Sequence, residues 1–101
     1  MTFADEIAGD RRLIVLRALT EISGGMMNEN IARTALQQFG HRVGSDIVRA
    51  DLEFLDRHGL ARLEKIVTPR GDLWLTKLLV AGEDVANGAA THPGVARRRA
   101  E

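Results

Sequence analysis

Gly59 divides this sequence into two kinds of pattern, and the division limits what the chain can fold into. Before it, apolar residues recur at helical spacing. After it, from Leu60 to Leu78, they alternate around the turn Thr68-Pro69-Arg70-Gly71-Asp72, where proline and glycine suit a tight reversal. The second part therefore reads as a β-hairpin. Leu73 and Leu75 alternate with Trp74, which is expected to pack the hairpin against the preceding helix.

Three helices are expected ahead of the hairpin. The first reads as one helix with Phe3, Ile7, Leu13, Leu16, Leu19 and Ile22 as one apolar stripe, Thr2 and Asp5 as a capping pair and a candidate break where Gly9-Asp10 interrupts the pattern. Ser23-Gly24-Gly25 stops it. The second opens at the N-cap residue Asn28 and runs to Phe39, with Ile31, Ala35, Leu36 and Phe39 inward and Gly40 as its left-handed cap. After His41-Arg42-Val43-Gly44, the third opens at Ser45 and buries Val48, Leu52 and Leu55. A last helix, Leu79 to Asn87, ends at Gly88. Residues 89–101 lack a periodic apolar face and read as a flexible basic tail behind a domain of residues 1–88.

Helix, helix, short turn, helix, hairpin, helix is the order of a winged helix-turn-helix, a mainly α fold with a β-hairpin in which the third helix enters a DNA major groove. A helical bundle with an added hairpin is the structural alternative. With 101 residues there is room for one modest core. The longest apolar runs fall far short of the roughly 20 residues of a membrane helix, and MTFADEI has two acids and no base, unlike a secretory signal. There is no cysteine, which removes disulfides, thiolate metal sites and cysteine nucleophiles and fits a cytoplasmic location.

The segments RRLIVLRAL (11–19), GGMMNENIARTAL (24–36), GHRVGSDIVRADLEFLDRHGLARLE (40–64), GEDVANG (82–88) and HPGV (92–95) together resemble a family of small proteins of Mu-like phages and prophages. Members are described as winged-helix proteins and often labelled transcriptional regulators of the ArsR type. The resemblance implies a winged helix and no settled function; the first functional expectation, from the order of elements, is a DNA-binding regulator that acts by occupying a site. Two departures stand out. Arsenic sensors of that type use a cysteine-containing metal site, which this chain lacks, and Leu79 stands where related proteins often carry a threonine at the start of the last helix.

Double-stranded DNA is the partner this order of elements suggests. Arg42, Ser45 and Arg49 flank or open the third helix, where backbone amides and a hydroxyl suit phosphate and an arginine suits guanine O6 and N7. Lys65 and Arg70 on the hairpin would hold the flanking backbone, and Arg97, Arg98 and Arg99 form the densest positive cluster. Phe3, Ile7 and Val80 suggest a homodimer through the terminal helices.

The charge count points the other way. Fourteen basic residues balance fourteen acidic ones, and the third helix carries Asp46, Asp51, Glu53 and Asp56 against Arg49 and Arg57. Arg49–Glu53 and Glu53–Arg57 have the spacing of pairs on a solvated face. The alternative is thus a protein-interaction adaptor in phage replication, packaging or assembly, with a phage or host protein partner and a surface built on Glu53, Asp56 and the hairpin. His41, His58 and His92 lack zinc-site spacing, and no nucleophile elbow, phosphate loop or dinucleotide fingerprint occurs. Neither a cofactor nor an enzymatic activity is expected.

Overall fold

The computed structural model describes residues 1–98. Four helices and three strands follow in the order α1 (Phe3–Glu21), β1 (Met26–Asn28), α2 (Glu29–Gln38), α3 (Ser45–Arg57), β2 (Ala61–Thr68), β3 (Gly71–Leu78) and α4 (Val80–Asn87). The strands form one antiparallel sheet in the order β1-β3-β2. Leu16, Leu19, Leu36, Val48, Leu52 and Leu55 are fully buried between the helices and the sheet, so α1, α2 and α3 each contribute to one core.

Helix starts follow the local chemistry. Thr2 and Asp5 form a reciprocal capping box, with Asp5 N–H donating to Thr2 Oγ1 and Thr2 N–H to Asp5 Oδ2. The bond from the Thr2 backbone N–H, with the Thr2 hydroxyl second, holds the Asp5 carboxyl below its ordinary pKa. Asn28 Oδ1 accepts from the amides of Asn30 and Ile31. Gly40, Gly59 and Gly88, expected as helix stops, all take positive φ. Leu79 is the N-cap of α4 and makes no side-chain cap bond, so the helix proper begins at Val80.

The expected hairpin forms, but its turn is tighter than the five residues expected, with only Pro69 and Arg70 between the strands. Thr68 faces Gly71, Lys65 faces Trp74 and Ala61 faces Leu78. Gly71, at φ 112°, turns the chain after Pro69 and Arg70. Trp74 and Thr76 point into the core, while Lys65, Ile66 and Val67 are exposed, so the distal half of the hairpin projects beyond the packed body.

Four expectations are corrected. β1 lies where the sequence suggested only a loop running into α2, and its three residues pair with Leu75, Thr76 and Lys77. The buried face of α2 is Glu29, Ala32 and Leu36, while Ile31 and Phe39 are exposed. α1 runs unbroken through Gly9, because this glycine serves packing: a Cβ there would lie 3.2 Å from the backbone nitrogen of Ala96.

The fourth correction concerns the chain after α4, which packs instead of trailing away. Val95 is buried in the core, and Ala96 N–H donates to the Gly9 carbonyl. Arg12 donates to the Gly94 carbonyl while its guanidinium carbon lies 3.6 Å from the Phe54 ring centroid. His92 stacks edge-on with Phe54 and His58, with centroids 5.6 and 4.7 Å away. This strap clips α1 to α3.

Two predictions follow from the packing. A methyl at Gly82 would collide with the Leu60 carbonyl, a backbone group that cannot rotate away, so Gly82→Ala should lower the urea-unfolding free energy by about 1–3 kcal/mol. His92 is held below its ordinary value of 6.5, first by burial and then by His58 and Arg12. The unfolded chain therefore takes up a proton before the folded one, and stability contributed by neutral His92 should decline as pH falls below 6.5 toward the folded-state value. The urea midpoint should show that decline, and His92→Phe should reduce it.

Candidate nucleic-acid interface

The turn between α2 and α3 sets the geometry of the site. The chain leaves α2 at Phe39 and re-enters helix at Ser45 with Gly44 as N-cap, and no side chain caps α3. Arg33 and Gln37 of α2 join Arg42, Val43 and Gly44 around an open depression of about 610 Å³ at this end. Arg42 and Ser45 are both exposed. On the other flank of α3 lies the hairpin, with Lys65 and Arg70 exposed and the Lys65 ammonium 4.4 Å from the Trp74 ring centroid. Arg97 and Arg98 are exposed beyond Val95, with Arg98 near Gly88 at the end of α4, so they join the strap and not the hairpin. Arg99 lies outside the described residues.

Arg49 lies between these flanks and is already engaged. Its Nε donates to Glu29 Oε1 at 2.7 Å and its Nη2 to Glu29 Oε2 at 3.0 Å, and Nη2 also donates to the Asp72 carbonyl at 2.9 Å. The guanidinium carbon stands 4.6 Å from the Trp74 centroid. Glu29 in turn accepts from Trp74 N–H at 2.7 Å. These contacts join α2, α3 and β3. The Glu29 carboxyl is held below its ordinary pKa, chiefly by the Arg49 hydrogen bonds, and the same contact raises Arg49.

The energetics favour keeping this contact. Glu29 is nearly buried, and stranding its carboxylate without a cation costs about 3 kcal/mol, the low end for a buried pair because its partner keeps one flank in water. A bidentate arginine–guanine contact returns about 1–3 kcal/mol of discrimination. Glu53, the expected i+4 partner, does not form an ion pair with Arg49 among the described residues. Asp56 is also in use, accepting from the Leu63 amide.

A second carboxylate from α3 is removed from the surface altogether. Asp51 is 1% exposed and receives Arg11 through Nε and Nη2, with Arg12 Nε at 3.4 Å. The exposed acids of α3 are thus Asp46, Glu53 and Asp56. Two basic flanks, Arg33 with Arg42 and Lys65 with Arg70, enclose a strip bearing Ser45, Asp46, Ile47, Ala50 and Glu53.

Glu29 and Arg33 were not singled out in the sequence. Glu29 directly follows the Asn28 cap, and it shares the helix face of Ala32 and Leu36 at i, i+3 and i+7, a spacing that marks an acid turned inward. Among the described residues, no group of three or more His, Cys, Asp or Glu is placed to hold a metal, and no helix is long and apolar enough to cross a membrane.

These features define a small α/β protein with four helices, a three-stranded antiparallel sheet and an open helix–hairpin face. The chain belongs to the same family as the uncharacterised protein gp26 of Escherichia phage Mu, with which it is 36% identical over 95 residues, 94% of each chain. It is also 39% identical over 66 residues to an uncharacterised protein of Haemophilus influenzae, covering 65% of this chain and 64% of that one. No protein-family model and no solved structure matches the chain.

Replacing the buried carboxylate tests the network. Glu29→Gln should lose about 1–2 kcal/mol of stability at neutral pH. Because the folded-state pKa is depressed, the contribution of ionised Glu29 is complete above the ordinary value of 4.5 and disappears as pH falls through the folded value. Urea titrations across that range should show this acid-side loss in the parent chain and a smaller one in the variant.

Proposed function

We propose that this protein is a winged helix-turn-helix module that binds double-stranded DNA, with α3 at the major groove and the β2–β3 hairpin as the wing. It acts by occupying the duplex, without chemistry or a cofactor. The observation that carries the reading is the placement of basic side chains on both sides of α3, Arg33 and Arg42 beside its uncapped N-terminus and Lys65 and Arg70 on the hairpin. Basic groups on opposite flanks of one helix suit phosphates on the two walls of a groove. Exposed Phe3 and Val80 on the first and last helices support pairing of two copies, which would match paired half-sites.

A second reading, a protein-interaction adaptor, is favoured by the exposed acids Asp46 and Glu53 along α3. Such a surface suits a basic partner.

Fluorescence anisotropy of a labelled random duplex at low and physiological salt separates the two. A DNA binder should show micromolar affinity at low salt, with a slope of log K against log salt of about −3.6 for contacts by all four side chains. Arg42→Ala or Lys65→Ala should weaken binding and reduce that slope by about one. Absence of binding at low salt would overturn the DNA reading in favour of the adaptor.

A further inference from the structure

We infer that the module grips duplex DNA through its phosphate backbones with little regard to sequence, and that Arg49 is a positioning residue that holds the wing in place. The inference rests on the DNA-binding reading and sharpens it: occupancy would follow charge and shape, not an operator sequence.

The argument starts from what α3 has left to offer a base edge. Direct reading of guanine needs a long side chain with two donors. Arg49 stands at the right place along the helix, but its Nε and Nη2 are given to Glu29 and the Asp72 carbonyl. The remaining exposed residues in the first turns are Ser45, Asp46, Ile47 and Ala50, and these are too short or bear only acceptors. Arg57, the other arginine of α3, lies in the last turn, away from the uncapped end. The phosphate-directed side chains are free in comparison: Arg33, Arg42 and Arg70 are exposed at the two flanks.

Arg49 instead fixes the distance between those flanks. It bonds to α2 through Glu29 and to β3 through the Asp72 carbonyl, and Glu29 holds the next ladder segment through Trp74 N–H. A wing held at one angle to α3 presents Lys65 and Arg70 at a fixed separation from Arg33 and Arg42. Every duplex carries the same repeating phosphate charge whatever its sequence, so such a calliper binds many sequences alike, with sequence-dependent groove shape adding only few-fold differences.

The test is repeated selection of bound duplexes from a random library, followed by anisotropy on the input and selected pools. The expected result is a selected pool that binds within a few-fold of the input, with no enriched motif. Arg49→Ala should weaken every duplex by a similar factor and shift Trp74 emission, while leaving the salt slope unchanged because Arg49 touches no phosphate. Glu29→Gln, which keeps the residue's shape and frees Arg49, should weaken every duplex in the same uniform way. A motif enriched roughly tenfold or more would overturn the inference, whether or not Arg49→Ala abolishes it. So would a reduced salt slope in a folded Arg49→Ala protein, or tighter, motif-selective binding by Glu29→Gln. If no duplex, input or selected, is bound at low salt, the DNA reading itself fails and the inference fails with it.

Discussion

Glu29 accepts hydrogen bonds from two other elements, the Arg49 guanidinium of α3 and the Trp74 amide of β3, from a position at the very start of α2. A nearly buried carboxylate must find partners of this kind, since leaving it bare in the interior is costly. Satisfying it brings α3 against α2 and draws the hairpin to both. The open face, with two basic flanks and an acidic strip between them, is a consequence of that arrangement. Arg49 stacks near one side of Trp74 while Lys65 reaches the same ring from the paired strand, so the indole is enclosed by cations as well as by the core.

Asp51 does for the other side of α3 what Glu29 does for the first. Arg11 and Arg12, adjacent on α1, converge on it, and Arg12 continues to the Gly94 carbonyl and the Phe54 ring. Charge that would count against α3 in a tally of residues is therefore neutralised internally. The whole-chain balance of fourteen against fourteen says little about the surface a partner meets, because several of those charges face each other inside.

Much of the fold was legible in the sequence. Helix stops at Gly40, Gly59 and Gly88, the caps at Thr2 and Asn28 and the hairpin turn all rest on local chemistry that a few adjacent residues decide. Contacts between distant residues were not legible. β1 has three residues and no alternating pattern of its own, and only pairing with β3 makes it a strand. Gly9 read as a candidate helix break because its reason, the backbone of Ala96, lies far along the chain. Val95 looked like one apolar residue in a polar tail, since its burial needs a pocket made by other elements. At the candidate site, Arg42, Ser45, Lys65 and Arg70 were identifiable as exposed residues, whereas the commitment of Arg49 to Glu29 was hidden by treating α2 and α3 as separate amphipathic helices.

The strand order β1-β3-β2 has a consequence for how the molecule is made. The β2–β3 hairpin closes a two-residue loop and forms from local contacts, but Met27 must find Thr76, about half the chain away. During synthesis the sheet cannot be completed until β3 has left the ribosome, long after α1 and α2 are available to pack. Glu29 directly follows β1, and its Trp74 partner is 45 residues away, so its capture belongs to this closure. The open face therefore cannot be completed before β3 is available, and a chain that stalls before that step exposes an uncompensated acid and an unpaired strand edge where the finished protein has a fixed surface.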